Sequence, residues 1–244
     1  MSPTVTANVI TSAVISRMKE IGTGTVLLDI TTFTHEHLLI LMALIRNHGL
    51  PCQVLLGYTG AAEYSTNTDE ESVWLSRGVG QVRSILGYPG DMAPSRRLHL
   101  IVLVGFEVER ARTLIEIMEP SKLSLGIGAQ EKSISSRHYA RNERFRNRLQ
   151  EFQMRQLQTQ TEVDKFTFSC VDPDEARDAI LLQAAKYPEF NTAVCPMNTK
   201  ISTIGVGLAA LQDPRLQVAY AAVAEYNEAG YSTPGEEVRV FPWS

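Results

Sequence analysis

The chain predicts an α/β protein of Rossmann-like type: a mainly parallel sheet, helices on both of its faces, and a long insertion after the second strand. Three observations predict it. Short apolar runs alternate with helical patterns almost from end to end. The runs are apolar at consecutive positions, as strands covered on both faces are. No internal repeat, low-complexity tract or linker rich in Pro, Gly or Ser divides the sequence, so residues 1–244 read as one domain.

Taken in order, residues 1–22 read as an N-terminal helix. "TVLLDIT" (25–31) is a strand, and "HEHLLILMALIRNHG" (35–49) is a helix that a glycine stops. "CQVLLGYT" (52–59) is the second strand and "HLIVLVGF" (99–106) the third. Between them, residues 60–98 form a connection of about 40 residues, far beyond the usual few. Its apolar residues Val73, Trp74, Val79, Val82, Ile85 and Leu86 suggest a crossover helix or an inserted lid. "EVERARTLIEIMEP" (107–120) is a helix ended by Pro120, "KLSLGIGA" (122–129) the fourth strand, and 134–157 a long polar helix. "KFTFSCVD" (165–172) leads into "PDEARDAILLQAAKYP", with Asp172 as cap and Pro173 at the first helical position. "NTAVCPM" (191–197) precedes the helical "NTKISTIGVGLAALQD". "LQVAYAAVAEYN" (216–227) and "EVRVFPW" (237–243) are the last strands.

Bulk numbers narrow the classes. Hydrophobic content of 44% and charged content of 20% are ordinary for a globular protein. Net charge is −4, from 23 basic and 27 acidic residues, so any nucleic-acid contact must come from a local basic patch. Cys52, Cys170 and Cys195 lie in or beside apolar runs without CxxC or Cys/His spacing, which predicts buried, reduced thiols. The N-terminal segment lacks a basic n-region, and no stretch reaches the ~18 apolar residues of a membrane helix. A soluble cytoplasmic protein without membrane contact is the expectation.

In parallel sheets ligands bind beyond the carboxyl ends of the strands, where helix N-termini present unpaired N–H groups and positive dipole ends. Strand ends therefore supply the candidates: Asp29, Thr31 and Thr32; Gly57, Tyr58 and Thr59; Gly105, Phe106 and Glu107; Gly126 and Gly128; Asp172; Asn198, Thr199 and Lys200. Gly105, Gly126 and Gly128 would permit close backbone approach to a phosphate or nucleotide. "PMNTKIST" sets Asn, Thr and Lys at a helix opening, where an anion gains N–H bonds and an ammonium. Asp29, at the end of a strand expected to be buried, could accept from a ligand ribose, act as base or metal ligand, or only accept loop N–H groups.

Other chemistries find little. No GxGxxG follows the first strand, and no GxxxxGK[ST] or GxSxG occurs, so neither a nicotinamide cofactor, a P-loop nor a serine nucleophile is expected. His35 and His37 are separated by one residue and would face apart on a helix, which argues against a joint metal site. No metal and no cofactor is assigned. The 134–157 helix carries the most specific surface signal. Arg137, Arg141, Arg144, Arg148 and Arg155 fall within about 40° of one line, beside an apolar stripe of Phe145, Leu149 and Phe152. The stripe would dock the helix. The arginine row is left for solvent, an acidic partner or a nucleic-acid backbone.

"DITTFT", "GFEVERARTLIEIMEPSKLSLGIG" and "CPMNTKISTIGVGLAAL" together make the chain resemble the CRISPR-associated Rossmann-fold (CARF) sensor domains and related prokaryotic defence-island proteins. Thr199-Lys200 match that group's Gly-Gly-Thr-Lys segment, whereas Met197-Asn198 stand where it has glycines. The resemblance implies a homodimer that binds a nucleotide or short oligonucleotide through Thr31, Thr32, Thr199 and Lys200. It also implies action through a larger effector partner in antiviral defence. Three functions stay open: a non-catalytic binding or regulatory subunit, a nucleotide-processing hydrolase or glycosyl transferase using Asp29 and Glu107, and a structural scaffold.

Overall fold

The computed structural model describes residues 2–64, 75–156, 163–227 and 232–243. Its elements follow the expected alternation. Helix α1 (Pro3–Ile10) passes through a π-turn (Thr11–Ile15) into α2 (Ser16–Ile21). Then come β1 (Thr25–Asp29), α3 (His35–His48), β2 (Gln53–Tyr64), β3 (Ser76–Pro89), β4 (Leu98–Leu103), α4 (Val108–Met118) and β5 (Lys122–Gly128). Last are α5 (Ser136–Gln156), β6 (Val163–Phe168), α6 (Pro173–Ala184), β7 (Asn191–Pro196), α7 (Lys200–Gln212), β8 (Leu216–Tyr226) and β9 (Ser232–Trp243).

Six strands form the principal sheet in the order β3-β8-β7-β4-β5-β6. All its pairs are parallel except β3 with β8. Residues alternate between its faces. Leu100 and Val102 of β4 join Leu123 and Leu125 of β5 under α4 and α5, while Ile101 and Leu103 face α6 and α7. Helices thus cover both faces, as the sequence indicates.

The first two strands stand apart from this sheet. β1 and β2 pair in parallel, and β2 pairs antiparallel with β9, giving a second sheet of order β1-β2-β9. Alternation of strand and helix says nothing about which sheet a strand joins. The two sheets share one core through α3, whose Leu38, Leu39, Ile40, Leu41 and Met42 are all buried. A helix apolar on every side needs cover on every side. The inner face of the small sheet (Val54, Leu56), the N-terminal helices (Ile10, Met18) and α7 (Ile201, Ile204) contribute to that cluster. Arg83 of β3 fixes the helix start with a two-pronged pair to Glu36, both contacts at 2.9 Å.

The insertion is corrected from helix to strand. Val79, Val82, Ile85 and Tyr88 point inward at intervals of three, which mimics a helical period. The cause is bulging: the β3–β8 register slips between Val79 and Gln81 and again between Ser84 and Pro89. Gly78 (φ 64°) and Gly87 (φ 99°) take the positive φ that such breaks require. Val73 and Trp74, and any lid in residues 65–74, lie outside the described residues.

Local signals at helix ends hold. Thr34 caps α3 by accepting from His37 N (3.1 Å), and Gly49 ends it in the left-handed region at φ 54°. Asp172 accepts from Asp174 N (2.8 Å) and Glu175 N (3.1 Å), with Pro173 opening α6. The apolar stripe of α5 docks as expected: Leu149 is buried, Phe145 meets Phe106 edge-on at 6.4 Å, and Phe152 lies 4.0 Å beneath the Arg112 guanidinium.

Candidate functional site

From β4 the chain builds outward through β5 and β6, then returns to lay β7 on the other side of β4. Helices α4 and α7 leave these two neighbouring strands toward opposite faces, so strand order reverses between them. This is where an open α/β sheet forms a crevice beyond its carboxyl edge. Here the two loops at that edge close on one another and form a floor. A Cβ at Gly105 would overlap the Met197 carbonyl, so the loops after β4 and β7 touch backbone to backbone. Asn198 stitches them: its amide donates to the Val104 carbonyl, and its Oδ1 accepts from Thr199 N (2.9 Å) and the Cys170 thiol (3.2 Å).

Above that floor sits a charged cluster drawn from five elements. Glu107, at the mouth of α4, accepts from Arg110 through Oε2 (2.6 Å) and from the Ser76 hydroxyl through Oε1. Arg110 is buried, donates to the Ala221 carbonyl (2.7 Å) and lies 4.8 Å from the centre of the Tyr220 ring. Burial opposes its charge, but Glu107, helped by Tyr220, outweighs burial and the guanidinium's pKa is raised. The Tyr220 hydroxyl pairs with that of Tyr226 at 3.1 Å.

Lys200 opens α7 directly after its cap, Thr199, which accepts from Ser202 N at 3.1 Å. Burial draws the Lys200 ammonium down to about 8; Glu107 resists that shift and Arg110 adds to it. Among the described residues, neither a hydrogen bond nor an ion pair reaches this ammonium. His35, the first residue of α3, comes in from the small-sheet side. Its Nδ1 is 2.6 Å from the Thr203 hydroxyl, which itself donates to the Thr199 carbonyl (2.9 Å). The hydroxyl proton being spent, the imidazole must donate from Nδ1, leaving Nε2 as the basic nitrogen. Burial, then Lys200 and Arg110, hold His35 well below its ordinary pKa, so it is neutral near pH 7.

The candidates taken from strand ends divide into three groups. Glu107, Thr199 and Lys200 come together here, with Asn198 beneath them. Asp29, Thr31, Thr32, Tyr58 and Thr59 belong to the small sheet. Asp29 is exposed on an edge strand rather than buried; its Oδ1 accepts from Thr31 N (2.9 Å), and the Thr31 hydroxyl, then this backbone N–H, hold its carboxyl below the usual range. The Thr31 hydroxyl accepts from Thr59 N at 3.0 Å, tying the β1 loop to β2, and Tyr58 is buried. The third group is the glycines. Instead of leaving room for a ligand, Gly126 lies against the Phe166 ring and Gly128 against the Cys170 sulfur, so close packing of the chain's own atoms explains both.

On α5, Arg137, Arg144 and Arg148 are exposed, Arg141 stands 5.4 Å from the Phe106 ring centre, and the side chain of Arg155 lies outside the described residues. All three cysteines are buried and free, with the Cys170 and Cys195 thiols pushed up to about 12 by burial. No group of three or more His, Cys, Asp and Glu side chains among the described residues could hold a metal ion. No helix among them is long and apolar enough to cross a membrane.

Reading strand ends misses His35, Arg110, Tyr220 and Tyr226. Arg110 has a visible signal, three residues after Glu107 on a helix and next to the apolar positions Ala111 and Leu114, which marks an inward-turned ion pair. His35 carries none, because its place depends on α3 reaching across from the other sheet.

Fold and site together define a Rossmann-like α/β protein with a charged cluster at its switch point. Neither a protein-family model nor a curated protein sequence matches the chain.

Proposed function

We propose that the chain is a non-catalytic binding subunit that senses a phosphate-bearing ligand at the switch-point crevice and acts through a partner protein. The observation that carries this reading is Lys200, a half-buried ammonium without a hydrogen bond or ion pair among the described residues, at the first turn of α7. Such a charge is costly to hold, and an anion seated on it would offset the cost while meeting the free N–H groups of the helix.

Acid–base catalysis by Glu107 gains no support from the geometry, since Arg110 and Ser76 occupy both of its oxygens. The CARF resemblance adds a dimeric working form and a role in bacterial antiviral defence to the proposal.

Thermal unfolding with mononucleotides, cyclic dinucleotides and short oligoadenylates tests it. A ligand at one hundred times its Kd adds about 2.7 kcal/mol. At least one class should raise the melting temperature of the wild type and leave Lys200→Met unmoved. No shift with any of them at millimolar concentration overturns the reading.

A further inference from the structure

The loop that lines the crevice also touches the arginine helix. Phe106, the half-buried residue after Gly105, stacks on the His138 ring at 5.1 Å with 21° between the planes. The Arg141 guanidinium lies 5.4 Å from the centre of the same ring. The opening turns of α5 therefore abut the rim on which Glu107 and Lys200 sit. Arg144 and Arg148 continue along the helix at spacings of three and four, and both are exposed. No hydrogen bond or ion pair among the described residues engages either one. Of the two acids of the helix, Glu143 is turned to Arg146 (3.7 Å) and the Tyr139 hydroxyl (3.2 Å), and Glu151, three residues after Arg148, is exposed and makes no ion pair with it.

We propose that the crevice continues into a track for a single nucleic-acid strand, from Lys200 past the Phe106–His138 stack and along Arg141, Arg144 and Arg148. This rests on the switch-point reading for one of its two ends. The chemistry of the strip is what favours a nucleic acid over an acidic protein surface. Guanidinium forks take phosphate oxygens in pairs, and an aromatic rim accepts base faces irrespective of sequence; Phe106 and His138 cover one face of each other, so the base would stack on the outer face of His138. An acidic peptide would use the arginines but would gain nothing from the aromatic pair. From Arg141 to Arg148 the helix rises about 10 Å at ~1.5 Å per residue, room for about three stacked nucleotides at ~3.4 Å each, and the aromatic rim and Lys200 take the remainder of a pentamer. With a net charge of −4 on the whole chain, the attraction is local.

Fluorescence anisotropy with 5′-labelled oligouridylates of two, five and ten nucleotides, between 50 and 200 mM salt, tests the track. Wild-type affinity should rise at least tenfold from the dimer to the pentamer and then level off. The Arg144→Ala/Arg148→Ala variant should lose at least tenfold for the pentamer, and its salt slope should fall by about 1.4, the ~0.7 per phosphate contact of single strands taken twice. Three results overturn the track: a pentamer no tighter than the dimer, a double variant with wild-type affinity and slope, or a polyglutamate peptide that displaces the pentamer at equal concentration. Stabilisation by ADP is measured alongside. Its absence, with length-dependent and arginine-dependent binding intact, retires the crevice end and leaves the track standing.

Discussion

Replacing Lys200 by methionine keeps most of the side-chain length and removes the charge. A free lysine titrates near 10.5 and this one near 8, a difference worth about 3 kcal/mol at 1.36 kcal/mol per unit. The sign follows from proton counting. Between pH 8 and 10.5 the unfolded chain holds a proton on Lys200 that the folded chain has lost, so stability rises with pH across that window. Below it both states are charged and the folded protein carries the whole cost. Because Lys200 is half-buried, rim solvent screens part of that cost, and Lys200→Met should be more stable than wild type by about 1–3 kcal/mol at pH 7. That corresponds to a melting rise on the order of 2–12 °C for a domain of this size. Urea unfolding at pH 7 and pH 10 measures it, and the gap should shrink at the higher pH. A variant less stable than wild type at pH 7, or a gap that ignores pH, refutes the unpaired-ammonium reasoning. For the ligand site proposed above, ADP is expected to bind more weakly above pH 8, where the free protein gives up the proton an anion needs.

Three further expectations concern the framework. Glu107→Ala strips a buried guanidinium of its carboxylate and should cost about 3–5 kcal/mol in denaturant unfolding, whereas Glu107→Leu/Arg110→Met together should cost less than Glu107→Ala alone; additive losses would show that the two side chains do not act as a pair. Gly105→Ala must force the Met197 carbonyl away and should destabilise far more than Gly60→Ala, where a Cβ meets nothing within 4 Å; equal melting temperatures would contradict the backbone contact. His99 is fully buried, its Nε2 is 2.8 Å from the Ser124 hydroxyl, and burial draws its pKa down to about 4. As pH falls from 6.5 to 4 the unfolded chain takes up a proton the folded one refuses, so about 3 kcal/mol of stability should drain away there. A His99→Gln variant should lose that share of the acid dependence while buried His35 keeps its own, and an unchanged acid profile would assign the whole of it to other groups.

Much of the fold is legible in the residues because its causes are local. Thr34, Gly49, Asp172 and Pro173 act on backbone groups within one turn, and each does what its position foretells. The consecutive apolar residues of β4, β5 and β7 need only the fact that both faces of a sheet are covered. β3 was illegible for a local reason as well: its bulges reset the alternation, so an inward residue every third position imitates a helix. Gly78, Gly80 and Gly87 were the available contrary signal, since three glycines in ten residues disfavour a helix. The second sheet was illegible for a different reason. β1 is an edge strand with alternating exposure, yet "TVLLDIT" looks as apolar as a central strand.

The site follows the same division. Glu107, Thr199 and Lys200 stand at strand ends, and any parallel sheet with this connectivity would bring the first turns of α4 and α7 to one edge. What turns that edge into a charged crevice comes from elsewhere: Ser76 from the inserted strand, Tyr220 and Tyr226 from β8, and His35 from a helix held between two sheets. Each of these depends on packing that a linear pattern does not encode. The consequence is mechanical. Glu36, beside His35, is clamped by Arg83 of β3, and Ser76 of the same strand holds Glu107. One strand therefore grips both sides of the crevice.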